Sequence, residues 1–162
     1  MLNVGDLVVH ETAGVCRVEG MTQLDGMSGS YYVLCPLYLK AATLYTPAEG
    51  KVKLRPVMSR EDAMDLIDAI PTIEPVVFHG MNEQKQKSTQ ILKSGDSYQL
   101  VQLTKTIYAD QKRRNQQGKK IGSNNAAVLK KAENLLFGEL ATALELSYEE
   151  VPQFVHTRLH GQ

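Results

Sequence analysis

Short runs of β-branched and aromatic residues fill the first third of the chain. Each run covers only three or four positions, and Gly, Asp, Ser or Pro separates it from the next. Closely spaced runs of this composition are typical of short strands joined by tight turns. We therefore expect a small antiparallel β-barrel over residues 1–58. Its strands are predicted at 7–9, 15–18, 31–34, 43–46 and 52–54.

The pattern then changes to helical spacing. Ser59, followed by Asp62 three residues later, resembles the capping box that opens a helix, with Asp in place of the usual Glu. Apolar residues recur at helical spacing as far as Pro71, which ends this helix. The segment 71–75 contains a second proline and predicts a stiff linker, because each proline fixes its own φ. We assign 59–75 to a helix and linker.

The last part of the chain, 76–162, has helical periodicity throughout and predicts an all-α domain. One helix is expected over 82–93, and later helices are expected to begin at Asp96, Ser123 and Ser147, which are good N-cap residues. Apolar residues three and four apart give these helices a buried face. The predicted architecture is a small antiparallel β-barrel followed by four or five short helices.

Charge divides the chain at the same place. The 18 Lys and Arg residues balance the 18 Asp and Glu residues, so the net charge is zero. Residues 1–72 contain six basic and nine acidic residues and carry −3, which leaves +3 on residues 73–162. Such asymmetry indicates nucleic acid or an acidic partner at one end of the protein.

Most of the basic excess lies in one window. Between Lys105 and Lys120 there are six cations and a single anion, Asp110. Cations at a helix end interact favourably with the helix dipole, which accounts for some of them but not for those in the following loop. The window favours a site for nucleic-acid phosphates without sequence specificity, and a merely solvated face is the alternative. The predicted phosphate-binding residues are Lys105, Lys112, Arg113, Arg114, Lys119 and Lys120.

Catalytic and metal-binding patterns find little support in the sequence. His156 and His160 have the spacing of two zinc ligands, but no Glu follows His156 as it does in the H-E-x-x-H motif. Gly118 and the two lysines after it lack the other positions of a phosphate loop. We expect no catalytic residues, no metal and no cofactor, and we predict that the protein is not an enzyme.

The sequence also indicates the compartment. It has no apolar stretch of about 18–20 residues, as a membrane-spanning helix needs, and no basic and apolar run typical of a signal peptide. Cys16 and Cys35 are too few for a disulfide scaffold, and we predict two buried thiols in a reducing cytosol. We expect a cytoplasmic protein without a membrane partner.

The motifs together resemble a known family. The front half resembles the RNA-polymerase-interacting module of the CarD/CdnL family, which transcription-repair coupling factors also carry. The back half resembles the CarD C-terminal domain. The segments that carry the resemblance are 4–10, 14–15, 31–34, 57–59, 93–96, 113–114 and 135–141, together with Pro47.

The resemblance implies a bacterial transcription regulator that associates with the nucleoid. In this family a Tudor- or SH3-like barrel pairs an edge strand with the β subunit of RNA polymerase, and the helical domain meets promoter DNA near the upstream edge of the melted bubble. Contacts to the DNA backbone then modulate the stability of the open complex with low sequence specificity. The equivalent strand here consists of Thr43, Leu44, Tyr45 and Thr46.

The chain departs from the family at the tryptophan that wedges into DNA, because it has no tryptophan. Met81 stands where that residue is expected, with Phe78 and His79 just before it and Glu83 and Gln84 just after it. Met and Phe can insert between base steps, so these residues are the predicted wedge. The alternatives are that they pack the two modules together, and that the protein is an adaptor or competitor that binds polymerase without wedge activity.

Overall fold

Five antiparallel strands form the front of the protein, in a computed structural model that describes residues 2–38, 43–49 and 54–161. The strands are β1 Leu7–His10, β2 Gly14–Thr22, β3 Tyr31–Pro36, β4 Leu44–Pro47 and β5 Leu54–Pro56. They pair in the order β4-β3-β2-β1-β5, so that β4 and β5 form the two edges. The predicted antiparallel β module is confirmed, although residues 52 and 53 of its fifth predicted strand lie outside the described residues.

Alternation along β2 separates the core of the sheet from its outer face. Cys16 and Val18 point inward and are fully buried, whereas Arg17 and Glu19 point outward and form an ion pair of 2.9 Å. Cys16 is therefore buried as predicted. Cys35 on β3 is only half-buried, so the prediction of two buried thiols is wrong for this residue. The reason is that Cys35 lies opposite the exposed Arg17 in the strand register.

The described residues after the sheet contain five α-helices. Their bounds are α1 Arg60–Ala69, α2 Met81–Ser94, α3 Ser97–Gln116, α4 Ser123–Leu144 and α5 Val151–His160. Local caps set several of these ends, as expected from the sequence, since the Asp62 amide donates to Ser59 and the Gln99 amide donates to Asp96. The all-α module is confirmed, but α3 and α4 have 20 and 22 residues and are not short.

The segment between α1 and α2 packs along α3. Ile73 is buried in the same core as the helices, and its carbonyl accepts a hydrogen bond of 2.7 Å from Lys105 Nζ. The Val76 carbonyl accepts another, of 2.9 Å, from the Thr106 hydroxyl. These contacts fix the path of the chain into α2, and the predicted linker is therefore held against the helical core.

Candidate polymerase and nucleic-acid interfaces

One face of α4 joins the helices to the sheet. Leu135, Gly138, Glu139 and Thr142 are three and four residues apart, a spacing that places them on one side of the helix. A Cβ added at Gly138 would lie only 2.8 Å from Tyr38 Cδ2, so the helix and the ring approach closely because no side chain intervenes. The Thr142 hydroxyl donates its only proton to the Gly138 carbonyl. It can then only accept from the Tyr38 hydroxyl, which lies 3.0 Å from Thr142 Oγ1.

The carboxylate of Glu139 is the centre of this joint. It is 2% exposed and accepts two hydrogen bonds of 2.7 Å from Arg55 of β5, a bidentate geometry that is among the strongest in proteins. The Met58 amide and the Ser97 hydroxyl also donate to it, at 2.9 and 3.1 Å. Arg55 donates further to the Gly95 carbonyl at 2.6 Å. Strand β5, the entry to α1, the α2–α3 turn and α4 thus meet at one carboxylate.

The strand predicted to bind polymerase lies at an edge of the sheet. Leu44, Tyr45 and Thr46 belong to β4, which pairs with β3 on one side, and no strand pairs with its other side within the described ranges. Thr43 precedes the strand and is exposed. Tyr45 is 51% exposed, whereas Thr46 is buried in the sheet. The edge therefore offers its main chain and the Tyr45 side chain to a partner.

The six predicted phosphate-binding residues fall into two groups. In the first group, the Lys105 ammonium donates a hydrogen bond to the Ile73 carbonyl. Arg113 and Arg114 both bind the carboxylate of Asp110, at 2.7 and 2.9 Å. The other three of the six, Lys112, Lys119 and Lys120, are exposed and form no ion pair within the part of the chain that the structure describes.

Asp110 connects the two arginines to α2 and α4. The Asn125 amide donates to Asp110 at 3.1 Å, and the Gln84 amide donates to Asn125 at 2.6 Å. Hydrogen bonds from Arg113 and Arg114 hold the pKa of Asp110 below its usual value, because they stabilise the charged carboxylate. This network was not predicted from the sequence, in which Asp110 is only the single anion among six cations. Its spacing of three and four residues from the arginines on one helix is a signal that could have revealed the ion pairs.

The predicted wedge residues differ in their exposure. Gly80 has a φ of 108°, a conformation that favours glycine, and it turns the chain into α2 at Met81. Met81 is 73% exposed, and Val77 and His79 on the preceding loop are also exposed. Phe78 is half-buried and packs against the helical core. Met81 is therefore free to contact a partner, whereas Phe78 packs within the helical module, and insertion into DNA stays a prediction for both.

A cleft of about 350 Å³ brings part of the wedge loop beside part of the basic run. It lies between the segment 75–78 and α3 and is lined by Phe78 on one side and by Arg113 on another. Gln84, Asp110 and Asn125 contribute polar atoms to its lining. The structure thus brings together Phe78 and Arg113, whereas β4 belongs to the separate β module.

The fold and these surfaces define a two-module protein, with an open strand edge on the β module and exposed apolar and cationic side chains on the helical module. Residues 2–58 match the CarD-like/TRCF RID domain, and residues 75–156 match the CarD C-terminal domain. The chain therefore belongs to the CarD family, whose members are transcription-related proteins that interact with RNA polymerase. No curated protein gives a significant match to the chain.

The family assignment bears on two other predictions. CarD-family domains belong to non-enzymatic transcription factors, and a transcription-related family agrees with the expected cytoplasmic location. Within residues 2–38, 43–49 and 54–161, no helix is long and apolar enough to cross a membrane, and no group of three potential metal ligands comes together.

Proposed function

We propose that the protein docks on the β subunit of bacterial RNA polymerase through β4 and contacts promoter DNA near the upstream edge of the bubble. There it modulates the stability of the open complex. The exposure of Met81 at the start of α2 is the observation that carries this proposal, because an apolar side chain must be free in order to insert between base steps. Arg113 supports it, since it lines a cleft together with Phe78 of the loop before Met81 and provides a cation there.

In this proposal the two modules have different partners. Main-chain pairing at the open edge of β4 gives affinity for a polymerase strand, and Tyr45 gives specificity. The DNA contact is less strong by itself, because the whole protein is electrically neutral and attracts DNA weakly at long range. Docking on polymerase raises the local concentration of the helical module at the promoter.

The wedge is tested by changing Met81 to Ala and measuring the lifetime of open complexes formed by purified polymerase. The lifetime should return towards the value without the protein, because the variant cannot hold the unstacked step open. Met27→Ala is the matched control, since Met27 is also an exposed methionine but lies in the turn between β2 and β3. Equal lifetimes with wild type and Met81→Ala would contradict the wedge.

The polymerase contact is tested by changing Tyr45 to Ala and measuring affinity for the isolated β subunit. An exposed tyrosine at the centre of an interface typically contributes more than about 1 kcal/mol, so the dissociation constant should rise roughly fivefold or more. Tyr98→Ala is the control, because Tyr98 is exposed to a similar degree on α3. If both variants bind β as the wild type does, Tyr45 is not part of the interface.

The ion pairs of Asp110 support a second candidate function. Arg113 and Arg114 are both neutralised in part by this carboxylate, so this side of the helical module is less basic than the sequence predicts. We propose as the alternative an adaptor or competitor that occupies polymerase without a wedge. Such a protein would bind the β subunit and leave the open-complex lifetime unchanged when it is added at saturating concentration.

The division into a polymerase-interacting domain at 1–58, a helix and linker at 59–75 and a DNA-binding domain at 76–162 is also a proposal. The family matches to residues 2–58 and 75–156 support it. Packing of Ile73 into the helical core supports grouping the linker with the helices. Nucleoid association and the lack of catalytic activity stay predictions.

A further inference from the structure

We propose that the cleft between the segment 75–78 and α3 binds one unpaired nucleobase of the promoter, displaced from the duplex beside Met81. This inference rests on the proposed function, because it needs the helical module to reach melted DNA. The volume of the cleft, about 350 Å³, is at the low end of ligand sites, which span roughly 300–1,000 Å³. It therefore suits a single base and its sugar.

One wall of the cleft is apolar and fixed. Val76, Val77 and Phe78 line it, and the Val76 carbonyl is hydrogen-bonded to α3. Phe78 packs against the helical core, which holds its side chain in place. Every base has an apolar π-face that stacks on aromatic side chains without regard to sequence, so this wall suits a base of any identity.

The lining of the cleft also contains two amide side chains. Gln84 and Asn125 line the cleft, and the hydrogen bonds from Gln84 through Asn125 to Asp110 fix the orientation of both amides. In the described part of the chain, Gln84 Oε1 accepts no hydrogen bond, so it can accept one from an amino or ring N–H group of a base. Pockets that hold an extruded base combine such hydrogen bonds with stacking.

A cation also lines the cleft. The side chain of Arg113 is 67% exposed and uses one nitrogen on Asp110, and its other donors can bind the phosphate that follows the base. Asp110 with its two arginines carries a net charge of +1, so the carboxylate does not make this region repel phosphate.

The position of Met81 explains why a base would arrive at this cleft. Gln84 is three residues after Met81 on α2, so their Cβ atoms are roughly 5–6 Å apart on the same side of the helix. A side chain that wedges into the duplex unstacks a base step. A base displaced by Met81 would therefore find a cavity within one helical turn.

The experiment measures binding of the full-length protein, together with RNA polymerase, to promoter fork DNA. An abasic site replaces, one at a time, each nucleotide at the upstream edge of the bubble. Ala109→Trp fills the cleft, because Ala109 is an exposed alanine of its lining, and Ala127→Trp is the control at an exposed alanine of α4 outside the lining. Gln84→Ala is the second variant, should Ala109→Trp fail to fold.

We expect one abasic position to weaken binding by the wild type about tenfold, as loss of a stacked base should. Ala109→Trp should weaken binding to intact DNA by a similar factor and should then be insensitive to the abasic site. Ala127→Trp should behave as the wild type does. An abasic effect of the same size in wild type and Ala109→Trp, or no sensitive position, would overturn the inference.

Two further arms separate this inference from the proposed function and identify the source of the base. If Met81→Ala weakens binding to the fork and Ala109→Trp does not, the wedge stands and only the pocket is refuted. If neither variant changes binding, both the wedge and the pocket are refuted. Titration with dAMP, observed by NMR at the Gln84 and Asn125 amides, should give much smaller shifts than the fork, and equal shifts would assign the pocket to free nucleotides instead of promoter DNA.

Discussion

Replacing Glu139 with Ala should destabilise the protein more than loss of any exposed glutamate, because it removes the centre of the joint between sheet and helices. Arg55 would lose both of its 2.7 Å hydrogen bonds to the carboxylate. The Met58 amide and the Ser97 hydroxyl would lose an acceptor in the same place. The guanidinium would then lose its paired counter-charge and keep only the weaker attraction of Asp96.

The size of the effect follows from the burial of the two partners. Removing one member of a buried ion pair typically costs about 3–5 kcal/mol, because the other charge is left uncompensated. The side chain of Arg55 is 37% exposed, so water can partly solvate it and the lower end of that range, about 3 kcal/mol, applies. Since a whole domain is stable by about 5–15 kcal/mol, this is a large part of the total.

Urea unfolding followed by circular dichroism measures this loss. With an m-value of about 2 kcal/mol/M, a loss of about 3 kcal/mol lowers the midpoint by about 1.5 M. Glu149→Ala, at an exposed glutamate, is the control and should change stability by less than about 0.5 kcal/mol. The double variant Glu139→Ala with Arg55→Ala should lose clearly less free energy of unfolding than the sum of the losses in the two single variants. A shift for Glu139→Ala no larger than that of the control would refute the reasoning.

Three other predictions concern single side chains. Gly138→Ala should lower the Tm in calorimetry, since its Cβ would lie 2.8 Å from the Tyr38 ring, but should raise it in a Tyr38→Ala background, where only the better helix propensity of Ala remains. In native protein at pH 8, a thiol reagent followed by mass spectrometry should modify Cys35 before Cys16, because burial raises the pKa of Cys16 to about 11. The pKa of Asp110, measured by carboxyl NMR, should lie below 3.8, and a value above 3.8 would contradict the ion pairs. The contribution of Asp110 to stability is therefore complete above its unfolded pKa of about 4. It is lost as the pH falls through the lower pKa of the folded state.

The features that were predicted correctly from the sequence depend on residues close together along the chain. The caps at Ser59 and Asp96 depend on residues three positions away, and both form as expected. The pairing of Arg55 with Glu139 joins residues 84 positions apart. Helical spacing from Leu135 and Leu136 places Glu139 on the apolar face, but nothing local indicates its partner. The motif at 135–141 that carried the family resemblance contains Gly138 and Glu139, so its physical role as a joint became apparent only from the packing.

The predicted wedge residues also depend on contacts that the local sequence does not indicate. Met81 and Phe78 are both apolar residues near the start of α2, and their sequence supports insertion and packing equally. Which of them is free depends on what lies behind each side chain, and the helical core lies behind Phe78 but not behind Met81. A prediction from spacing alone cannot make that distinction, because it depends on contacts among α2, α3 and the segment before them.

Contacts within the protein lower the number of cations that are free to bind DNA. The sequence gives six cations between Lys105 and Lys120, but three of them are engaged within the protein, two on Asp110 and one on the Ile73 carbonyl. If only the three exposed lysines neutralise phosphates, the plot of log K against log salt for duplex DNA should have a slope of about −2.7, at roughly −0.9 per contact. Fluorescence anisotropy of the isolated protein across a salt series measures this slope with fully paired duplex, which presents no displaced base to the cleft at Arg113, and changing Arg114 to Ala should leave the slope unaltered. A slope near −4.5 would show that both arginines also bind phosphates of the duplex. The weaker slope would mean that contacts to polymerase, and not charge, bring the helical module to the promoter.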